Sequence, residues 1–167
     1  MNTAEKESDD DRRISIICFS LTGKETAQKL KEGLEKCGYH TELYKKSRYL
    51  EDSIAESTAD WTAEHFHRED GLIFVGACGI AVRSIAPQVA SKKSDPAVLV
   101  VDECGQFVIS LLSGHLGGAN ELSLKAAQIL GAQPVVTTAT DLHKRFAVDV
   151  FSRKNDCEIL FMKAAKE

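Results

Sequence analysis

The chain has 167 residues, of which 43% are hydrophobic and 28% charged, with a formal net charge of −4. That composition supports one globular domain with a real core and excludes a wholly disordered chain. The acidic balance speaks against nucleic acid as the main partner, and no apolar run approaches the roughly 20 residues of a membrane span.

The first 13 residues are polar and acidic, with Asp9, Asp10 and Asp11 in a row. They read as a flexible tail rather than a secretory signal. The five cysteines (Cys18, Cys37, Cys78, Cys104 and Cys157) are odd in number, widely spaced and without a CxxC pair. Free thiols in a reducing cytoplasm are therefore expected, most of them buried as small core residues, with no structural metal site.

Ile14 to Phe19 is a continuous apolar run that predicts a buried strand. A helix is expected from Gly23 to Cys37, with Ala27, Leu30 and Leu34 at helical spacing and Gly38 as its cap. Thr41 to Tyr44 predicts a second strand, and Trp61, Ala63 and Phe66 a helix over about Thr58 to Arg68. His65 and His67 in that helix point in different directions and read as surface residues. Gly71 to Val75 predicts a third buried strand, Ile80 to Ala86 a short helix stopped by Pro87, and Ala97 to Val101 a fourth strand. Asp102-Glu103-Cys104-Gly105 is a turn signal, so Phe107 to Leu112 should return as a hairpin with Gly105 at positive φ. Ala119 to Leu130 predicts a strong helix, Pro134 to Thr138 the last clear strand, and Ala147 to Arg153 a further helix. The expected fold is a three-layer α/β/α sandwich, its sheet mostly parallel with one antiparallel hairpin. One domain should run from residue 14 to 155, with 156–167 a tail or the start of a linker.

Three segments carry unusual chemistry. In Gly76-Ala77-Cys78-Gly79 a strand gives way to a glycine-containing loop and then a helix, an arrangement that suits anions. Gly76, Gly79 and Arg83 are its candidate binding residues, and a tight packed connection is the competing reading. Cys78 beside a helix N-terminus is a lesser candidate nucleophile. Ser113-Gly114-His115-Leu116-Gly117-Gly118-Ala119-Asn120-Glu121 is the most informative stretch. His115 is poised for proton transfer near neutral pH, and the Gly117 and Gly118 N–H groups suit a developing oxyanion. Ser113 and Glu121 are further catalytic candidates, and Asn120 a binding one. A loop histidine that caps backbone is the competing role of His115, and Glu121 also suits a helix N-terminus electrostatically. No nucleophile-elbow pattern accompanies Ser113. In Thr137-Thr138-Ala139-Thr140-Asp141, Thr138 is a candidate for binding polar groups, although such residues also serve as turns and caps. If the strands run the usual way, all three segments gather at one edge of the sheet.

The runs GLIFVGACGIAVRSIAP, SDPAVLVVDECGQFVISLLSGHLGGANELS and PVVTTATD with FAVDVF resemble the N-terminal region of the CbiG proteins of cobalamin biosynthesis. The resemblance spans Gly71 to Phe151. It implies hydrolysis of the δ-lactone of cobalt-precorrin-5A, with release of acetaldehyde to give cobalt-precorrin-5B. It implies no separate cofactor, because the substrate carries the cobalt. It also implies a CobE-like C-terminal domain, in cis or in trans, whereas this sequence stops at Glu167. Two other readings compete. One is a non-catalytic tetrapyrrole-binding or assembly module, the other a flavodoxin-like nucleotide-binding domain.

Overall fold

A computed structural model describes residues 12–114 and 116–138. Ten elements follow in order: β1 (Arg13–Cys18), α1 (Leu21–Lys36), β2 (His40–Lys45), α2 (Thr58–His65), β3 (Gly71–Val75), α3 (Cys78–Ile85), β4 (Ala97–Val101), β5 (Phe107–Leu112), α4 (Ala119–Leu130) and β6 (Gln133–Val135). The six strands form one sheet in the order β2-β1-β3-β4-β5-β6. The first four are parallel, β5 runs antiparallel to β4, and β6 is parallel to β5.

The apolar runs explain this order. GLIFV and AVLVV are buried along their whole length, as strands covered on both faces must be, and they occupy the centre. The alternate residues Ile14, Ile16 and Cys18 of β1, with Ile73, Val75, Leu99 and Val101, pack under α1 and α4. Ile17, Leu72, Phe74, Val98 and Val100 face the other way, against Trp61 and Phe66 of the α2 region and Ala81 and Ile85 of α3. The result is the expected three-layer sandwich with two cores. Gly33 lets α1 and α4 approach closely, because a Cβ there would lie 2.3 Å from Ile129 Cγ2.

Several local expectations shift. Helix α1 starts earlier than Gly23, because the Ser20 side chain accepts from Gly23 N–H and caps it. Helix α3 starts at Cys78 rather than Ile80, so Gly79 is a helical residue and not part of the loop. The last strand covers only Gln133–Val135. The expected helix over 147–153, residues 1–11 of the acidic tail, His115 and Cys157 lie outside the described residues, while Arg13, expected in the tail, opens β1. Cys18 is buried, but Cys37, Cys78 and Cys104 are exposed, against the expectation of mostly buried thiols. Cys37 and Cys104 stand in connections between elements and Cys78 in a first helical turn, where no core surrounds them.

His65 is also not a surface residue. Its ring stacks on Trp61 at 4.8 Å between centroids, and its Nδ1 lies 3.3 Å from Ser15 Oγ and 3.6 Å from Glu69 Oε1. The i, i+4 spacing of Trp61, His65 and Glu69 turns all three toward β1.

The hairpin forms as predicted, and Gly105 has φ +67. Asp102 organises it: its carboxylate accepts from the N–H groups of Cys104, Gln106 and Phe107 at 3.1, 2.8 and 2.6 Å. This reversal decides where the loops end up. The carboxyl ends of β5 and β6 lie at the edge where β1, β3 and β4 begin.

Candidate functional site

The three segments therefore do not gather at one edge, which corrects the sequence expectation. Gly76, Gly79 and Arg83 sit at the carboxyl edge of β1–β4. Ser113 to Glu121 and Thr138 sit at the opposite edge. A strand of about six residues, roughly 20 Å, separates them.

At the carboxyl edge the glycines have packing reasons. A Cβ on Gly76 would lie 2.9 Å from the Phe19 ring. Gly76 N–H also donates to Val101 O at 2.8 Å. Arg83 Nη1 reaches back along its own helix to Gly79 O at 3.2 Å. Cys78 is exposed in the first turn of α3, whose N-cap Ala77 offers no side-chain acceptor. Ser20 Oγ donates to Glu103 Oε2 at 2.6 Å, which ties the start of α1 to the hairpin.

The opposite edge is more tightly built. Ser113 follows β5 with φ +59, a left-handed conformation that costs a non-glycine residue about 1 kcal/mol. Its Oγ is shut off from solvent and has no hydrogen-bond partner. The Ser113 carbonyl accepts from Ala119 N–H at 3.1 Å and the Gly114 carbonyl from Asn120 N–H at 3.0 Å. Backbone thus caps the first turn of α4, and no side chain is needed at Gly118, which has φ +81. The chain then crosses over Ser113 so closely that a Cβ on Gly117 would lie 2.3 Å from Ser113 Cβ and 3.2 Å from Asp95 O. The Gly117 and Gly118 N–H groups have no partner among the described residues.

Asn120 and Thr138 come together as well. Asn120 Nδ2 donates to Thr138 Oγ1 at 2.9 Å, and Asn120 Oδ1 accepts from Ser110 Oγ at 2.7 Å. Glu121 is half-buried in the first turn of α4.

Three further residues at this edge escaped sequence reasoning. Ser110 sits in a strand, where hydroxyls are common. Asp95 is buried, and its carboxylate accepts from Ala90 and Ser91 N–H at 3.0–3.2 Å, holding the turn that leads into β4. Arg12 places a guanidinium nitrogen 3.1 Å from the position of a Cβ on Gly118. Only Asp95 carried a signal, as an acid directly before Pro96 at the start of an apolar run.

What the arrangement offers is a loop carrying two N–H groups and a buried hydroxyl, with a cation beside it. Such a set can orient a carbonyl and stabilise an oxyanion. The described residues hold no group of three or more His, Cys, Asp or Glu able to bind a metal ion. Among them no helix is long and apolar enough to cross a membrane.

Residues 60–141 match the family described as cobalamin synthesis G N-terminal. The chain is 42% identical over 152 residues to a cobalt-precorrin-5A hydrolase of Salmonella typhimurium, covering 91% of this chain and 41% of that protein. It is 38% identical over 144 residues to a cobalt-precorrin-5A hydrolase of Priestia megaterium, covering 84% of this chain and 38% of that protein. The chain thus spans about two fifths of the length of these curated relatives. A crystal structure of a cobalamin biosynthesis protein G homologue from Sulfolobus solfataricus superposes with a TM-score of 0.61 at 28% identity. That match covers 75% of this chain and 37% of the other. The family match includes Gly76, Gly79, Arg83 and the whole segment from Ser113 to Glu121.

Proposed function

We propose that this chain acts in cobalamin biosynthesis on cobalt-precorrin-5A, opening its δ-lactone and releasing acetaldehyde to give cobalt-precorrin-5B. The observation that carries the placement of the chemistry is the Ser113–Gly118 loop. A left-handed serine with a buried, unpaired hydroxyl stands in the same loop as two N–H groups that have no partner among the described residues. Strain and unsatisfied groups of this kind are costly and concentrate where a ligand uses them.

In this reading His115 takes a proton from water, which attacks the lactone carbonyl. The Gly117 and Gly118 N–H groups receive the oxyanion, and collapse breaks the acyl C–O bond to leave a carboxylate and a hydroxyl. His115 or Glu121 then takes the hydroxyl proton, the oxygen forms the aldehyde C=O as the adjacent C–C bond breaks, the electron pair of that bond passes into the conjugated macrocycle, and acetaldehyde departs. Ser113 Oγ hydrogen-bonds to the reacting groups, and Asn120 and Thr138 form the wall beside them. Gly76, Gly79 and Arg83 serve the far side of a large multicarboxylate macrocycle. Cobalt arrives within the substrate, so no resident cofactor is called for. The remaining three fifths of the relatives' length fits a CobE-like domain that completes the site, and the setting is cytoplasmic.

The test is acetaldehyde release from cobalt-precorrin-5A by the chain, alone and with a CobE-like domain. His115→Ala should lower the rate by about 10²–10⁴-fold. Trp61 fluorescence should be unchanged, showing an intact fold. Normal turnover by the variant would remove His115 from the mechanism. Release by neither preparation would favour the non-catalytic assembly role.

A further inference from the structure

We propose that His65 is a proton-operated latch between α2 and the sheet. Its protonation state decides whether the ring is held by Ser15 of β1 or by Glu69 of the turn that enters β3. The latch stands apart from the glycine-rich segment and from the reaction proposed above.

The ring is held from several sides. Its Nδ1 lies 3.3 Å from Ser15 Oγ and 3.6 Å from Glu69 Oε1. Trp61 stacks on it at 4.8 Å between centroids and 30° between planes, and Tyr44 of β2 packs against it at 4.8 Å and 62°. The charged and titratable groups around it come from each neighbouring element. From β2, the Tyr44 hydroxyl donates to the Glu42 carboxylate. From β1, Arg13 Nε lies 3.9 Å from Glu69 Oε2. On α2 itself, Glu64 is paired with Arg68 Nη1 at 2.9 Å. From β3 comes the apolar Phe74, 5.8 Å from Trp61 between centroids. Among the described residues Glu69 is the carboxylate within ion-pair distance of the ring.

Ser15 fixes what the neutral ring must look like. It is 1% exposed, and His65 Nδ1 is the one partner its hydroxyl has among the described residues. A buried hydroxyl hydrogen needs an acceptor, so Nδ1 carries a lone pair, Ser15 O–H donates to it, and the ring proton sits on Nε2. A second proton goes to Nδ1 and removes that lone pair. Ser15 O–H loses its acceptor, and the new N–H donates to the Glu69 carboxylate. The imidazolium also lies over the Trp61 ring, where the π-electrons favour a cation. The hold on α2 thus passes from β1 to the turn at Glu69. The next residue, Asp70, accepts from Arg13 N–H at 2.9 Å where β1 begins.

Trp61 is the only tryptophan, and an imidazolium stacked on an indole quenches its fluorescence. Between pH 8 and pH 5, the range in which histidines change charge, emission should fall in a one-proton step that His65→Gln removes. Ser15→Ala takes a hydrogen bond from the neutral ring, so the midpoint should rise by about 0.5 pH unit. Glu69→Gln takes the counter-charge from the imidazolium, so the midpoint should fall by about 0.5 pH unit. Nitrogen NMR of wild-type protein needs no variant: above the midpoint, His65 Nδ1 should be bare and Nε2 protonated. The reverse tautomer overturns the proposal. So do a step that survives His65→Gln, and midpoints that stay put or move in the same direction in the other two variants.

Discussion

Replacing Gly117 by alanine tests the tightest crossing in the molecule. The new Cβ would lie 2.3 Å from Ser113 Cβ, 2.9 Å from Ser113 O and 3.2 Å from Asp95 O. Carbon atoms rest at roughly 3.5–4.0 Å, so the first contact falls short by more than ~1 Å. None of the three atoms is the end of a flexible side chain, so the loop itself must move. Overpacking of this kind costs about 1–3 kcal/mol. Moving Ser113 also weakens the Ala119 N–H to Ser113 O bond that caps α4, worth about 1 kcal/mol. Reduced freedom of the unfolded chain returns about 0.4–1 kcal/mol. The net expectation is a loss of about 2 kcal/mol. Urea unfolding followed by fluorescence measures it, because Trp61 is the only tryptophan and is fully buried. Ser113→Gly removes the nearest atom and suits the φ of +59, so the double variant should regain at least ~1 kcal/mol. A loss below about 0.5 kcal/mol for Gly117→Ala, or no coupling in the double variant, would refute this account of the loop.

Two other outcomes are expected. The Tyr44 phenol is pushed well above its usual value near 10, first by burial and then by its hydrogen bond to Glu42 and the nearby charges of Glu42, Glu69 and Glu64. The folded state then keeps a proton that the unfolded chain has lost. Stability is intact below about pH 10 and falls as pH rises further; alkaline denaturation of wild type beside Tyr44→Phe should show the steeper fall only in wild type. The Cys18 thiol is raised by burial, only partly offset by the charges of Lys45 and Lys24. In a Cys157→Ser background a thiol-specific reagent should therefore modify Cys37, Cys78 and Cys104 quickly, and Cys18 only on unfolding. Fast labelling of Cys18 in folded protein would contradict its burial.

The sequence made some parts of this fold legible and hid others for identifiable reasons. Strands β1, β3 and β4 are continuous apolar runs that only a doubly covered sheet can bury, so they were plain. The start of α3 was hidden because Ala77 caps nothing and Gly79 looks like a loop residue. The hairpin at Asp102–Gly105 was legible, but its consequence was not. The reversal alone carries Ser113 away from Gly76, and the parallel pairing of β6 with β5 carries Thr138 with it, which the sequence does not show. Ser113, Gly117, Asn120 and Thr138 stood out by residue type and do cluster. Ser110, whose hydroxyl donates to Asn120, looked like any strand serine. His65 was misjudged by considering it with His67 at i, i+2, when its partners Trp61 and Glu69 lie at i−4 and i+4.

The same reversal has a practical consequence for instrumenting the protein. The chain enters the sheet at Arg12 beside Gly118, on the candidate site's own edge. A tag or reporter fused immediately ahead of Arg12 would emerge among the groups it was meant to observe. Cys104, exposed at the hairpin tip, lies a strand's length away. A fluorophore attached there would read the molecule from its far side and leave the Ser113–Gly118 loop unencumbered.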